Sequence, residues 1–222
     1  MKLSLAVFAL LVVVVVVAVW PKPEGPPQTE QQTTPETSGK QAAQAPSGSS
    51  PVEETVPGST SGMKVTTHRQ AAGEPGEDGW YLAESTEGGY SVKLPNAFND
   101  LTSTTMTKAG LHTTHAVGTL TEDQVQYSVT RGNCPDKQPV SEAFAAYLNS
   151  QGTDIKEKIS LSQAGMQGMQ TKAVVGRIAV IGRVLANENT VFMLMIKNRA
   201  GTDFTPEMER NAPIFFESFR LK

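Results

Sequence analysis

The chain has few of the side chains from which structural and catalytic sites are usually built. Its 222 residues include one cysteine, Cys134, and three histidines, His68, His112 and His115. One cysteine cannot form an intrachain disulfide, and the lack of a Cys and His cluster excludes a structural zinc site. Sequence signatures of phosphate loops, nucleophile elbows, zinc proteases and calcium loops are absent as well. The sequence therefore assigns no catalytic, cofactor-binding or metal-binding residue.

An excess of charge of one sign is also missing from residues 79–222. Fourteen Lys and Arg residues are balanced there by fourteen Asp and Glu residues, and the net charge of −3 comes from the residues before them. Surfaces that attract nucleic acid or anionic lipid carry a basic excess. The neutral balance argues against both partners.

Charge is absent again between Leu3 and Trp20, where an apolar run contains a block of valines from Val12 to Val17. Eighteen uncharged residues in a helix, all but Ser4 apolar, nearly cross a bilayer core. Residues 1–20 therefore predict a membrane anchor, with the positive N-terminus inside and the rest extracytoplasmic. A cleaved signal peptide is the alternative, with Val16 and Ala18 at the cleavage positions, and the protein would then be secreted.

Residues 21–78 are rich in Pro, Gly, Ser, Thr and Gln and nearly lack aromatic and long aliphatic residues. Such a composition cannot bury enough apolar surface to offset the entropy of ordering the chain. We expect a disordered linker that holds the following domain away from the membrane.

Residues 79–222 are long enough for one domain with its own core. Strands with one solvated face are predicted by alternation at Tyr90–Leu94 and Val125–Thr130. A hairpin is predicted from 171–185 and 190–197, with Asn187 and Asn189 in its turn. The second hairpin strand is apolar on both faces, which predicts a central strand.

Two helices are predicted within this domain. Apolar residues from Val140 to Leu148 fall on one helical stripe that ends at Gly152. Thr205 and Pro206 mark the start of another helix, and Pro213 predicts that this helix breaks or kinks. The fold class is therefore α+β, an antiparallel β-sheet flanked by helices, preceded by the N-terminal transmembrane or signal helix and the linker.

The strand GYSVKLP, the long hairpin and the terminal FFESFRL together resemble the PsbP-like fold. Photosystem extrinsic subunits, Ran-binding Mog-type proteins and bacterial domains share this fold. The resemblance covers about residues 79–222, and it implies a binding or assembly role more often than an enzymatic one. Its motifs are packing positions, so no functional residue is carried over.

Three groups of residues are weighed as chemical sites. His112 and His115 would share a face on a helix, but the Thr-rich surroundings favour a strand, which sends them to opposite faces. Cys134 is either a nucleophile, a cross-link to another chain or a small, partly buried residue. The methionines at 166, 169, 193 and 195 fit a core, with an adaptable apolar binding surface or copper binding as the alternative, and exposure is considered only at 166 and 169.

The leading hypothesis is a non-catalytic extracytoplasmic domain, membrane-tethered or secreted, that binds a protein or a cell-envelope component, with no cofactor and no nucleic-acid partner. The alternative is a small hydrolase or metal-dependent enzyme whose site is assembled from scattered residues such as His112, Arg131 and Cys134. Catalytic groups meet in space and not in sequence, so the missing motifs leave this alternative open. Clustering of these side chains favours the enzyme, and placement on opposite faces counts against it.

Overall fold

The computed structural model describes residues 52–55, 64–68, 74–107, 110–133 and 139–222. The predicted anchor at 1–20 and Cys134 lie outside these ranges. Within them, no helix is both long enough and apolar enough to cross a membrane.

Twelve strands and two helices form the described part of the chain. The strands are β1 (Val52–Thr55), β2 (Lys64–His68), β3 (Tyr81–Glu84), β4 (Tyr90–Leu94), β5 (Asn99–Thr107), β6 (Gly110–Leu120), β7 (Val125–Asn133), β8 (Asp154–Gln163), β9 (Met166–Val175), β10 (Ile178–Ala186), β11 (Thr190–Asn198) and β12 (Arg220–Leu221). The helices are α1 (Val140–Ser150) and α2 (Pro206–Glu217).

Nine strands form one large sheet in the order β1-β2-β5-β6-β7-β11-β10-β9-β8, and every neighbouring pair is antiparallel. The small sheet has the order β12-β4-β3. Two meanders, β5 to β7 and β8 to β11, build most of the large sheet. They join where β11 pairs with β7, so that Leu194 lies opposite Val129. The fold is mostly antiparallel sheet with two helices.

The large sheet has two different faces. Its inner face packs against the small sheet and α2 around a core that includes Tyr127, Ile181 and Phe215. Its outer face packs against α1 in a second cluster that includes Tyr147, Val184 and Val191. Alternate residues of each strand therefore belong to different cores, as the period of two requires.

The first helix follows the predicted pattern. The apolar stripe from Val140 to Leu148 packs on the outer face, and Gly152 has the left-handed φ of 72° expected after a helix end. The second helix begins as predicted, because the Thr205 side chain accepts a hydrogen bond from Met208 N at 3.3 Å. The predicted break at Pro213 is wrong. Helix α2 continues through this residue, and burial of Phe215 and Phe216 stabilises its last turn.

The predicted long strand over 171–185 is also wrong. The chain turns at Gly176 and Arg177, so that β9 and β10 form a hairpin of their own. Gly176 has a φ of 64°, a conformation that glycine adopts without a steric penalty. The next turn is as predicted, since Asn187 Oδ1 accepts hydrogen bonds from Asn189 N and Thr190 N at 2.9 Å each.

Two strands lie within the segment that composition assigns to the linker. Strand β2 pairs with β5 through five residues, and β1 pairs with β2 through four. Both are rich in Val, Thr or charged residues and add the last two strands at one edge of the large sheet. The ladder therefore extends before residue 79, into the segment predicted to be a disordered linker.

Candidate functional site

His112 lies on one face of the large sheet, and His115 and Arg131 lie on the other. His115 lies opposite Arg131 on the inner face, and its Nδ1 is 3.1 Å from Thr102 Oγ1. His112 is three residues away on the same strand and therefore belongs to the outer face. This placement counts against an enzyme site that combines His112 with Arg131. Of His68, only the backbone in β2 is described.

All four methionines pack in or against the cores, as the favoured alternative predicted, and Met193 and Met195 are partly buried. Met166 and Met169 are buried, so the alternative of exposed methionines at this place is wrong. Their side chains belong to different cores, Met166 to the inner one and Met169 to the outer one. Two ligands on opposite faces of a sheet cannot hold the same copper ion.

A buried carboxylate joins the two sheets on the inner face. Asp100 is 1% exposed, and its Oδ2 accepts a hydrogen bond from Thr86 N at 2.7 Å. Its Oδ1 accepts another from Ser85 Oγ at 3.3 Å. The same turn, between β3 and β4, is held by Arg131, which donates to Gly88 O. These contacts have a structural role, since each polar group pairs with another part of the same chain.

A buried arginine on the inner face is paired just as completely. Arg183 lies 4.7 Å from the centre of the Phe216 ring and donates to Gln170 Oε1, Gln163 Oε1 and Glu217 Oε1. The planar guanidinium has five N–H donors, which suits such a divided set of acceptors. Residues from β8, β9 and α2 are thereby fixed to β10.

Buried tyrosine hydroxyls complete the inner face. Tyr90 donates to Val129 O at 2.9 Å and accepts from Val117 N at 3.2 Å. Tyr127 accepts from Asn211 Nδ2 at 3.0 Å. Burial raises the pKa of both hydroxyls far above the ordinary tyrosine value. Both hydroxyls therefore stay protonated, and both form hydrogen bonds with other parts of the fold.

The outer face of the central strands differs from the prediction. Alternation along β7 predicts a solvated face, but Gln126, Ser128 and Thr130 are all buried. Ser128 is 1% exposed, and Ser103 on β5 is 3% exposed. Neither hydroxyl has a hydrogen-bond partner, and the same holds for Gln151 Oε1 at the end of α1. All three unpaired atoms found within the described ranges lie on the outer side of the large sheet.

Two basic residues stand at one end of this face. Lys197 on β11 is half-buried, and Arg199 follows it in an exposed turn. Neither side chain has an ion pair or hydrogen bond with any acid in the described part of the chain. Desolvation, with the positive charge of Arg199, lowers the pKa of Lys197 to about 8.

The strand register places the amine beside the unpaired hydroxyl. Lys197 lies opposite Gln126 of β7, and Met195 lies opposite Ser128. Lys197 and Ser128 are therefore diagonal neighbours on the outer face, at a typical distance of about 7–8 Å in a sheet. We define Lys197, Arg199 and Ser128 as the outer basic site. It contains two cationic side chains and one hydroxyl group, and neither cation pairs with an acid in the described part of the chain.

Little in the local sequence indicates this site. Lys197 ends an apolar strand, where a basic residue ordinarily reaches solvent, and Ser128 occupies a position that alternation assigns to solvent. Burial of the outer face comes from long-range packing, which a period of two cannot reveal. The only local signal was that TVFMLMIK is apolar on both faces and therefore central.

Comparison with protein-family models, with curated proteins and with solved structures finds no match for this chain. Within the described residues there is no group of three or more His, Cys, Asp or Glu side chains placed to hold a metal ion.

Proposed function

We propose that this protein is a non-catalytic domain that binds a protein or a cell-envelope component outside the cytoplasm. The outer face of the large sheet is the binding surface in this proposal. In the same proposal residues 1–20 anchor the chain in a membrane or direct its secretion, and residues 21–78 act mainly as a spacer. The resemblance to PsbP-like α+β domains belongs to the proposal too, supported by an antiparallel sheet with packed helices.

The observation that carries the proposal is the set of unpaired polar groups on the outer face. A buried hydroxyl without a partner costs about 1–3 kcal/mol. Ser103 and Ser128 both carry this cost, whereas the buried polar groups Asp100 and Arg183 on the inner face do not. Natural proteins break such local rules mainly at functional sites. A ligand with acceptor atoms would complete these hydrogen bonds.

The proposed extracytoplasmic location is tested in intact cells that produce the full chain. A membrane-impermeant maleimide should label a cysteine placed at the exposed Lys158 (Lys158→Cys in a Cys134→Ser chain) without permeabilisation, and the Cys134→Ser chain alone gives the background. Labelling that needs permeabilised cells would contradict an extracytoplasmic domain. Cell fractionation then separates an anchored chain from a secreted one.

The proposed binding role is tested by thermal unfolding of the detergent-solubilised full chain against envelope fragments. A ligand at a hundred times its Kd adds about 2.7 kcal/mol and moves the unfolding midpoint by several degrees. Ser128→Lys, which places a longer side chain on the outer face, should abolish the shift, and Lys93→Met on the small sheet should keep it. Catalytic turnover that disappears in His112→Ala or Cys134→Ser would overturn the proposal in favour of the enzyme.

A further inference from the structure

We propose that the outer edge of β8 pairs with the same edge of a second copy of this chain. The inference goes beyond the proposed function, because this edge is a different surface from the outer face of the sheet. Strand β8 ends the large sheet, and among the described strands it pairs with β9 alone. A strand at the end of a sheet presents a row of N–H and C=O groups that can pair with another chain.

The turn after β8 determines which backbone groups point to this edge. Gln163 lies opposite Met166 across a two-residue loop, and Ala164 and Gly165 in the loop have φ values of 50° and 74°. Positive φ at both positions is typical of a type I′ turn, in which the carbonyl of the first residue accepts from the N–H of the fourth. Gln163 therefore points toward β9, and so does every second residue before it. The backbone groups that point to the outer edge are those of Lys158, Ser160 and Ser162.

The regular part of this edge is short and has a defined centre. A bulge interrupts the pairing of β8 with β9 between Ile155 and Glu157, and the strand ends at Gln163. A two-fold antiparallel pair that uses all seven residues from 157 to 163 places Ser160 opposite itself. In this register Lys158 of one copy lies opposite Ser162 of the other, so the outward backbone groups meet one another.

The side chains of the edge fit the same register. Ile159 is 45% exposed, and Leu161 is half-buried against the inner core. Both belong to the inner face, and two-fold pairing places Ile159 of each copy opposite Leu161 of the other, in the closer type of antiparallel pair. Glu157 lies opposite Gln163, and the lysine of each copy lies opposite a serine. Charges of the same sign therefore do not face each other across the interface.

Neighbouring registers fit less well. A shift of the centre by one residue, to Ile159 or to Leu161, shortens the regular paired segment to five residues and separates the two apolar side chains. A centre at Lys158 places this lysine opposite itself, which is destabilising. The bulge ends the pairing at Lys156, and two-fold pairing uses the β8 edge of both copies. One strand pair is small beside the about 1,200–2,000 Å² of a stable interface, so we expect a weak, reversible dimer.

The test places a cysteine at the two-fold axis of the full Cys134→Ser chain, purified in detergent. Position 160 lies opposite itself, and Cα atoms in a hydrogen-bonded antiparallel pair are about 5.5 Å apart, which a disulfide can span. Mild oxidation should therefore link Ser160→Cys into a covalent dimer.

Ser162→Cys is the matched control, because Ser162 is also an exposed serine on the same face of β8. In the proposed dimer its counterpart is four residues away along the strand, at about 13 Å. Two cysteines at that distance do not reach each other, so we expect about tenfold less dimer. Equal yields from the two variants, or no dimer from Ser160→Cys, would overturn the inference.

A further substitution separates strand pairing from chance contact within a shared micelle. Ile159→Glu, added to Ser160→Cys, should lower the yield of dimer about tenfold, because it places a carboxylate opposite Leu161 in both halves of the interface. Ile159 is exposed, so the fold should tolerate the change. Leu82→Glu alters an equally exposed apolar residue on the small sheet and should keep the dimer. Unchanged cross-linking in Ile159→Glu would contradict the proposed pairing.

Intact cells that produce the Ser160→Cys chain distinguish a second copy from a different partner. Oxidation should give a cross-linked product that contains this chain alone. A product that joins this chain to another protein in place of a second copy would overturn the inference. Absence of the dimer leaves the proposed function standing if envelope fragments still shift the unfolding midpoint, because they are expected to bind the outer face.

Discussion

The two faces of the large sheet differ in whether their buried polar groups have hydrogen-bond partners. On the inner face, Asp100 and Arg183 are nearly inaccessible, yet each pairs with several partners from other elements. On the outer face, Ser103 and Ser128 are equally buried and have none. Asp100 and Ser103 even belong to the same strand. The comparison separates polar groups that hold the fold together from polar groups that the fold leaves available.

The largest difference between the faces should appear in their cores. Phe215 is fully buried among Tyr127 and Phe216, whereas Phe144 on α1 is only half-buried. Phe215→Ala should lower the free energy of unfolding by about 3–5 kcal/mol, because it leaves a cavity in the main core. Phe144→Ala should cost about 1–2 kcal/mol, since much of its ring already contacts water. Urea unfolding measures both, and equal losses would refute a dominant inner core.

The comparison is sharpest on β5, where two substitutions should have opposite signs. Asp100→Ala leaves Thr86 N and Ser85 Oγ without their acceptor, and we expect a loss of about 2–3 kcal/mol. Ser103→Ala removes a buried hydroxyl that has no partner, and we expect no loss or a gain of up to about 1 kcal/mol. Both are measured by urea unfolding at pH 7. A marked loss in Ser103→Ala would show that this hydroxyl is engaged after all.

Stability should depend on pH through Lys197. Its folded pKa of about 8 lies below the unfolded value of 10.5, so the unfolded chain binds more protons between these values. Stability therefore rises with pH through this window, by on the order of 2 kcal/mol for a half-buried amine. Below pH 8 the cost is present in full, and Lys197→Met should be more stable than the parent chain there. The difference in free energy of unfolding between Lys197→Met and the parent chain should be smaller at pH 9.5 than at pH 7.

Two buried tyrosines on the inner face limit the pH range over which stability rises. Tyr90 and Tyr127 have folded pKa values raised by burial, so the unfolded chain loses their protons first above pH 10. Their contribution to stability falls as pH rises, which is opposite in sign to that of Lys197. A parent chain whose stability does not rise relative to Lys197→Met between pH 7 and 9.5 would contradict the desolvated amine.

The smallest effect should come from an ion pair at the surface. Lys172 donates to both carboxylate oxygens of Glu209 at 2.9 and 2.8 Å, which raises the pKa of Lys172. Both side chains are partly exposed, and such pairs contribute about 0–1 kcal/mol. Lys172→Met should therefore lower the free energy of unfolding by less than about 0.5 kcal/mol, and high salt should abolish the difference. A larger loss would place this pair among the structural contacts of Arg183.

Local patterns in the sequence predicted the elements whose burial is decided by their own residues. The helical stripe of α1, the cap at Thr205 and the turn at Asn187 each depend on neighbours within a few positions. The continuation of α2 through Pro213 depends on two phenylalanines that find a core elsewhere in the chain. Local propensity is overridden there by tertiary packing.

The same reasoning explains why the candidate site was missed. Whether Ser128 meets water is decided by what covers the outer face, and whether Lys197 finds an acid is decided by the pairing of β11 with β7. Neither fact is encoded within a window of ten residues. The turn at Gly176, by contrast, has a local signal in its glycine, but the apolar residues on either side of it favour one long strand.

The pairing of β7 with β11 also has a consequence for the order of folding. Each of the meanders β5 to β7 and β8 to β11 forms by contacts between successive strands, whereas Leu194 reaches Val129 across 64 intervening residues. Closing such a large loop is slow, so the pairing of β7 with β11 should form late in folding. Lys197 and Ser128 stand on either side of that seam. A ligand that contacts both strands would bind only the joined sheet, and it would slow the separation of the two halves.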